Sequence, residues 1–280
     1  MTHAEEIKHH WREAAPRWRQ HGAIVREMTE PVSRALVDAV GPDEGERWLD
    51  VASGVGDPGA LLAERVGTSG WVVVSDLVHE MTLAAAETID GRTSVVTAAA
   101  EALPFHSRFD GATCRFGVMF FADPGRALSE IRGALEPGGR AVFAVWGGRE
   151  RNPFFNEVWT SVRDVVPDAP APEPDEPHPF RYAPAGKFAA LLRSAGWVDV
   201  EERTLPFVMG GPLALGEFWD YLLSFSADFE KLVEGLPADR RAMLRSGLED
   251  RLAPYFRDGA MRFPAEARLV LVRNPEDDSG

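Results

Sequence analysis

Apolar residues recur along the chain with two different periods. Over residues 3–21 they follow the helical spacing, which predicts a helix that Pro16 kinks or splits. A second helix is predicted over residues 30–40, where Gly41 and Pro42 end it. The amino-terminal part of the chain is therefore predicted to be helical.

From residue 47 onward, short and continuously apolar runs alternate with helical segments. The runs RWLDVA, WVVVSD, TSVVTA and RAVFAVWG, with a further one near residues 110–116, are typical of strands buried on both faces. The alternation stops in the proline-rich stretch of residues 149–183 and then resumes, with strands near 197–204 and 266–273. This order predicts an α/β fold with a parallel sheet covered by helices on both faces.

Composition narrows the functional classes. The chain has 280 residues, a formal net charge of −14 and a pI near 5.0, so a phosphate backbone would be repelled and we expect no nucleic-acid partner. The single cysteine, Cys114, allows no internal disulfide and fits a cytoplasmic location. The sequence has neither a secretory signal nor an apolar run long enough for a membrane span.

The segment WLDVASGVGDPG, residues 48–59, carries a glycine pattern between a predicted strand and a predicted helix. Gly54, Gly56 and Gly59 allow a tight turn and a close approach of a ligand to the main chain. Asp76 ends the next strand, where a carboxylate accepts hydrogen bonds from ribose hydroxyls. The pair predicts a site for an adenosine-type nucleoside at the switch point of the sheet.

Asp50, just before the loop, bears on the choice of cofactor. A carboxylate there would repel a pyrophosphate and attract an ammonium group. This favours S-adenosylmethionine, which carries an ammonium and a sulfonium, over a dinucleotide. An NAD(P)-dependent oxidoreductase stays open as an alternative, as does a non-catalytic module that binds the cofactor as a sensor or partner.

Several segments, in order, resemble motifs of class I S-adenosylmethionine-dependent methyltransferases. They are WLDVASGVGDPG, SDLVHEM, AAAEALPF, FDGATCRFGVMFFADP and LEPGGRAVFAVW, all within residues 47–147. The chain most resembles the small-molecule branch that includes quinone-type and natural-product methyltransferases. The resemblance implies a Rossmann-like, doubly wound, seven-stranded mixed sheet with a helical cap or lid, and S-adenosyl-L-methionine as the cofactor.

The resemblance also implies where the cofactor lies. Two departures from the family pattern are Ala52, where a glycine is usual, and Ala99, where the relatives carry an aspartate that binds the adenine amine. The implied contacts are Asp50, Ser53, Gly54 and Gly56 at the methionine end, Asp76 at the ribose, Leu77, Met81, Ala100 and Glu101 at the adenine, and Arg115 and Phe116 near the transferable methyl.

Two of these residues have an alternative to a cofactor contact. Glu101 can be a carboxylate at the start of a helix, and Arg115 can be an ion-pair partner of Asp123 or Glu130. Neither alternative is settled by the sequence.

The division of the chain follows from these segments. We predict a helical cap at 1–40, a cofactor-binding Rossmann-like core at 41–148, a lid insertion at 149–183, the core continued at 184–209, a helical cap insertion at 210–262, and the last strand and tail at 263–280.

Aromatic residues in the cap and lid predict an apolar acceptor site. The candidates for acceptor binding are Trp11, Trp18, Phe120, Trp146, Phe154 and Phe180. A base, where the reaction needs one, is sought among His178, Tyr182 and His10, with His21 and His106 as further histidines. No metal site is expected, because no metal-binding motif supports the pair His9-His10.

The predicted function is methyl transfer to a small apolar acceptor of quinone, phenolic or indole type, in quinone or secondary metabolism. The atom methylated is left open. A homodimer is allowed by the sequence and not required by it.

Overall fold

A computed structural model of the chain describes residues 2–89 and 93–276; residues 277–280 of the predicted tail lie outside them. The described part contains one sheet of eight strands. The strands are β1 (Arg47–Val51), β2 (Trp71–Asp76), β3 (Thr93–Thr97), β4 (Phe109–Arg115), β5 (Leu135–Trp146), β6 (Val198–Gly211), β7 (Phe256–Arg257) and β8 (Ala260–Arg273).

The strand order is β3-β2-β1-β4-β5-β8-β6, and β7 pairs only with β8. The first five strands are parallel, whereas β8 runs antiparallel to both β5 and β6. The predicted mixed sheet is confirmed, and the two-residue β7 is an eighth strand that the sequence did not predict. The carboxyl ends of β1, β2, β4 and β5 share one edge of the sheet, where α/β folds bind their ligands.

Helices cover both faces of the sheet. Most apolar side chains of β1, β2, β4 and β5 are almost fully buried between them, which explains the continuous apolar runs, whereas those of the edge strand β3 are only partly buried. The helices are α1 (His3–Val40), α2 (Gly59–Val66), α3 (His79–Thr88), α4 (Pro124–Ala134), α5 (Pro153–Val165), α6 (Lys187–Ser194), α7 (Leu215–Phe225), α8 (Ala227–Gly235) and α9 (Ala238–Leu252).

The amino-terminal helix corrects one prediction. Residues 3–40 form a single helix that continues through Pro16 and Pro31, where the sequence predicted two helices. A proline inside a helix costs about 3 kcal/mol. Tertiary contacts offset this cost, because Arg17 donates to the carbonyls of Leu223 and Ser224 on α7 and the rest of α1 packs over the sheet.

The last two long strands extend beyond their predicted ends. β6 and β8 have 14 residues each and pair along almost their whole length. Between them lie α7, α8 and α9, within the range 210–262 that was predicted to be a helical cap insertion. None of the described helices combines the length and the apolar character that a membrane crossing needs.

Candidate functional site at the carboxyl edge of the sheet

The glycine loop after β1 has a backbone that favours glycine at alternate residues. Ala52, Gly54 and Gly56 have φ values of +54°, +54° and +95°. A Cβ added at Gly54 would meet no atom within 4 Å, so space lies in front of this residue. A Cβ at Gly59 would come within 2.3 Å of Val74 Cγ1, so glycine is what lets α2 begin against β2. The loop therefore leaves room for a ligand at Gly54.

Asp50 closes the base of this loop. Its side chain is fully buried, and its two oxygens accept hydrogen bonds from the Gly59 amide at 3.0 Å and the Thr113 hydroxyl at 2.7 Å. Burial raises the pKa of Asp50 to about 7, against the opposing effects of Thr113 and Arg115. Asp50 thus joins β1, α2 and β4, and its predicted place at the methionine end stays a prediction.

Asp76 lies at the end of β2 and is partly exposed. Its carboxylate accepts from the Gly54 amide at 3.0 Å and the Val78 amide at 3.1 Å, and each oxygen can accept a further bond. Burial raises the pKa of Asp76 to about 6. The hydroxyl of Ser53 is buried nearby in the loop and has no partner among the described residues. Carboxylate, open backbone and free hydroxyl fit a ligand that carries ribose and amino-acid groups.

The residues assigned to the adenine fall into two groups. Leu77 and Met81 pack with Val55 and the first half of α1, and Met81 is buried. Ala100 is buried in a 3-10 turn, whereas the Glu101 carboxylate accepts from the amides of Ala122 and Asp123, at 3.0 and 3.3 Å. Glu101 therefore holds the loop after β4, a contact that neither of its sequence-based interpretations included.

Arg115 lies in a buried network behind the loop. It forms an ion pair with Asp57 at 2.7 Å, and the two side chains are 9% and 7% exposed. The same nitrogen donates to Ser33 at 2.8 Å and to Thr29, both on α1. The alternative pairing of Arg115 with Asp123 or Glu130 is wrong. Its side chain turns toward α1 and pairs with the buried carboxylate of Asp57, which belongs to the glycine loop. Arg115 joins the cap to the loop.

Phe116 has a φ of +59°, which is unusual for a bulky residue and marks a constrained backbone. Its ring stacks on Trp146 with centroids 4.0 Å apart and planes 5° from parallel. Trp146 in turn contacts Phe155 at 5.0 Å, and Phe155 contacts Phe180 at 5.4 Å. A row of four aromatic rings thus leads from the end of β4 into the lid.

Besides this row, which forms a first aromatic wall, Trp11 and Trp18 of α1 form a second wall together with Phe120. Trp11 contacts Phe120 at 5.1 Å and Trp18 at 5.9 Å, all as edge-to-face pairs. Trp18 also contacts Phe225 on α7. Because Phe120 follows β4, this wall places α1 next to the same edge of the sheet as Phe116.

Phe154 does not line the edge. It is buried among Phe155, Phe218 and Phe263, in the core between α5, α7 and β8. Its predicted role in acceptor binding is not supported by this position.

The three candidate bases lie in different surroundings. His10 is exposed on α1 beside Trp11. Tyr182 is 4% exposed, packs on Phe188, and burial raises its pKa to about 12, so it is poorly suited to accept a proton. His178 accepts from the Phe180 amide at 3.1 Å, and burial with the charges of nearby cations lowers its pKa. The structure does not bring these side chains together.

Sequence reasoning missed three cations near His178. Arg149 follows β5, Arg181 neighbours His178 itself, and Lys187 begins α6; these residues and His178 line one cavity. Their separation along the chain left no motif to find them. Among the described residues, no group of three or more histidine, cysteine or carboxylate side chains is arranged to hold a metal.

The comparison with known families agrees with this geometry. Residues 30–168 match the model of the ubiE/COQ5 methyltransferase family. The chain is 40% identical over 115 residues to the ubiquinone/menaquinone biosynthesis C-methyltransferase UbiE of Methylococcus capsulatus, which covers 39% of this chain and 46% of that protein. The enzyme of the same name from Serratia proteamaculans is 38% identical over the same shares. The chain thus spans less than half the length of these relatives.

Solved structures match over more of the chain. A candidate methyltransferase of Bacillus halodurans C-125 covers 87% of this chain and 98% of its own, with a TM-score of 0.55 at 21% identity. Phosphoethanolamine N-methyltransferase 2 of Haemonchus contortus, solved with S-adenosyl-L-methionine, covers 88% of this chain and 52% of its own, with a TM-score of 0.51 at 18% identity. The predicted resemblance to class I methyltransferases and the predicted fold are confirmed. The predicted cofactor and enzyme class agree with these matches.

Proposed function

We propose that this chain is an S-adenosylmethionine-dependent methyltransferase acting on a small, largely apolar acceptor of aromatic or quinone type. The observation that carries the proposal is the open space at Gly54, beside the partly exposed Asp76 carboxylate and at the end of β1. The quinone C-methyltransferases similar to the chain support a quinone-like acceptor. Natural-product metabolism, a cytoplasmic location and a homodimer stay predictions.

The residues of the edge divide the work of holding the cofactor. Asp76 would accept from the ribose hydroxyls, Gly54 would allow the close approach of the ligand, and Ser53 would supply a hydroxyl that has no partner among the described residues. S-adenosylmethionine, when bound, supplies a methyl group on a positively charged sulfur. The chain's remaining task is to hold an acceptor close and to exclude water.

The two aromatic walls are suited to that task. The row from Phe116 to Phe180 and the wall of Trp11, Trp18 and Phe120 both stand at this edge. Flat apolar surfaces of this kind bind a flat apolar molecule and keep water away from it. Methylation at an activated carbon of a quinol-like ring also releases a proton, and the group that accepts this proton stays a prediction.

The first test is calorimetric titration of the full chain with S-adenosylmethionine, S-adenosylhomocysteine and NAD in parallel. We expect the first two to bind and NAD not to bind. Binding of NAD alone would overturn the proposal and favour an NAD(P)-dependent oxidoreductase. Absence of binding by all three ligands would also overturn it. Formation of S-adenosylhomocysteine with a panel of quinols and naphthols then tests the acceptor class.

A substitution locates the ribose contact. Asp76→Ala should weaken cofactor binding by about 1–3 kcal/mol, because a partner of buried hydroxyls is lost. Asp110→Ala is the matched control, since its carboxylate pairs with Arg47 at the opposite end of the sheet. Equal affinities of the two variants would remove Asp76 from the site.

A further inference from the structure

A cavity of about 350 Å³ lies between β5 and α6, at the same edge of the sheet as the glycine loop. One part of its wall is apolar and formed by aromatic rings and prolines. The other part carries positive charge. The lining residues that matter are Trp159, Phe180, Arg149, His178, Arg181 and Lys187.

Arg149 is the central cation of this cavity. Its guanidinium lies over the rings of Trp159, at 5.2 Å, and Phe180, at 4.7 Å. Burial lowers the pKa of Arg149, and none of the carboxylates that the structure describes lies within 4 Å of it. A partly buried charge without a counter-ion is costly, and it is notable in a chain of net charge −14.

His178 adds a donor of defined direction. Its Nδ1 accepts from the Phe180 amide, so the proton of the neutral ring lies on Nε2. That Nε2 is buried and has no partner among the described residues. A neutral His178 therefore carries, at the wall of the cavity, an N–H group that has no acceptor among the described residues.

The two remaining cations, Lys187 and Arg181, have partners that either bind them weakly or occupy only part of their donors. Lys187 pairs with Asp175 at 2.7 Å, but the Asp175 side chain is 88% exposed, and such pairs are weak. Arg181 donates one nitrogen to the Phe121 carbonyl, which fixes the guanidinium and leaves other N–H groups. No acidic residue is among the described residues that line the cavity. The charged part of the wall thus carries cationic donors and, among the described residues, no carboxylate.

The aromatic row connects this cavity with the proposed methyl-transfer site. Phe180 belongs to both, since it contacts Phe155 of the row and lies beneath Arg149. Phe121, whose carbonyl Arg181 binds, follows directly after Phe120 of the second wall. Phe180 and Arg181 thus link the cavity wall to the two groups of aromatic rings.

We propose that this cavity binds a carboxylate group of the acceptor, with Arg149, Lys187 and His178 as its donors, so that the aromatic or quinone-type acceptor carries an acidic group. The inference rests on the proposed function for the acceptor's place in the reaction. Charge-assisted hydrogen bonds to a carboxylate are stronger than neutral ones and suit a planar guanidinium. The apolar rings bind the body of the molecule.

The test compares two probes of the same shape with the full chain in the presence of S-adenosylhomocysteine. By calorimetry, 2-naphthoate should bind at least about tenfold more tightly than its methyl ester, since only the acid carries the charge. Its affinity should fall as salt is raised. Equal affinities, or no binding of 2-naphthoate, would overturn the inference.

Variants assign the donor. Arg149→Met should remove about tenfold or more of the preference for the acid, and Arg149→Lys should restore part of it. Arg151→Met is the matched control, because Arg151 is exposed, near in sequence and not part of the cavity wall. Should Arg149→Met fail to fold, Lys187→Met tests the same wall from α6.

The binding of S-adenosylhomocysteine separates this inference from the proposed function. Variants and wild type should bind it equally. If it binds and the acid shows no preference, the carboxylate site fails and methyl transfer stands. If it does not bind, the proposed function fails whatever the acid does.

Discussion

The two halves of the carboxyl edge are built in different ways. At β1, β2 and β4, short loops and hydrogen bonds hold the site: Asp50 joins three elements, and Asp76 binds the backbone of the glycine loop. At β5, long segments distant in sequence meet around stacked rings and the cations of the cavity. The first half is thus held by buried polar contacts, and the second half by the packing of side chains from distant segments.

This difference fits the way the relatives match. The family model covers residues 30–168, which include the whole of the first half and only part of the second. Loops and insertions that are held by packing tolerate change more readily than a loop held by buried polar groups. The contrast predicts that variants in the two halves will fail differently, in stability and cofactor binding on one side and in acceptor binding on the other.

The largest expected effect is at the network behind the loop. Arg115→Met should lower the free energy of unfolding by about 3–5 kcal/mol, because it leaves the Asp57 carboxylate buried without its cation. Urea unfolding measures the change. Arg47→Met is the control, since its pair with Asp110 is largely exposed and should be worth about 1 kcal/mol or less. Similar losses of unfolding free energy in the two variants would mean that the buried pair of Arg115 and Asp57 stabilises the chain no more than the surface pair does.

The next effect separates backbone strain from the ligand site. Gly54→Val should weaken S-adenosylhomocysteine binding about 100-fold or more, close to 2.7 kcal/mol, by filling the open space. Gly41→Val is matched to it, because Gly41 has a φ of +52° and equally open surroundings, but lies at the end of α1. Both should lose stability, and only Gly54→Val should lose affinity. A normal titration of Gly54→Val refutes the loop assignment.

The third prediction concerns pH. Burial raises the pKa of Asp50 to about 7 from an unfolded value near 3.8, so the folded chain binds the extra proton between these values. Stability from this group is therefore highest at low pH and falls as pH rises toward 8. Relative to Asp50→Asn, the wild type should lose on the order of 2 kcal/mol between pH 5 and pH 8.

The asparagine variant is a fair reference for this pH effect. Its side-chain oxygen can accept from Gly59 while its amide donates to Thr113, so both contacts of Asp50 can be kept. Histidines with lowered pKa values, such as His21, affect both proteins alike and cancel in the difference. Parallel stability curves of the two proteins would show that Asp50 does not titrate in this range.

The first half of the edge was predictable because its signals are local. The strand that ends in Asp50, the glycines after it and Asp76 one strand later lie within 30 residues. Buried strands also give continuous apolar runs that identify β1, β2, β4 and β5. Ala52 was harder to interpret from local signals. It replaces a glycine that is usual in the family, and its φ of +54° shows a strained backbone that the sequence alone did not reveal.

The second half was not predictable for a physical reason. Arg149, His178 and Lys187 meet only because α5 and the proline-rich stretch fold back on β5, and no spacing along the chain encodes that contact. The ends of β6 were misjudged because much of that edge strand is exposed and lacks a buried apolar run. α1 was predicted as two helices, 3–21 and 30–40, with Pro16 kinking or splitting the first, because local patterns do not show the tertiary contacts that hold it as one helix.

The smallest expected effect tests the lid from within. The Tyr182 hydroxyl is buried without a partner among the described residues, and the ring packs on Phe188. Tyr182→Phe should therefore change the free energy of unfolding by less than about 1 kcal/mol, in either direction, and leave methyl transfer unchanged. Loss of methyl transfer in Tyr182→Phe, with an unchanged unfolding curve, would show that the Tyr182 hydroxyl takes part in the reaction. Because this hydroxyl is buried, the lid would then have to open to expose it.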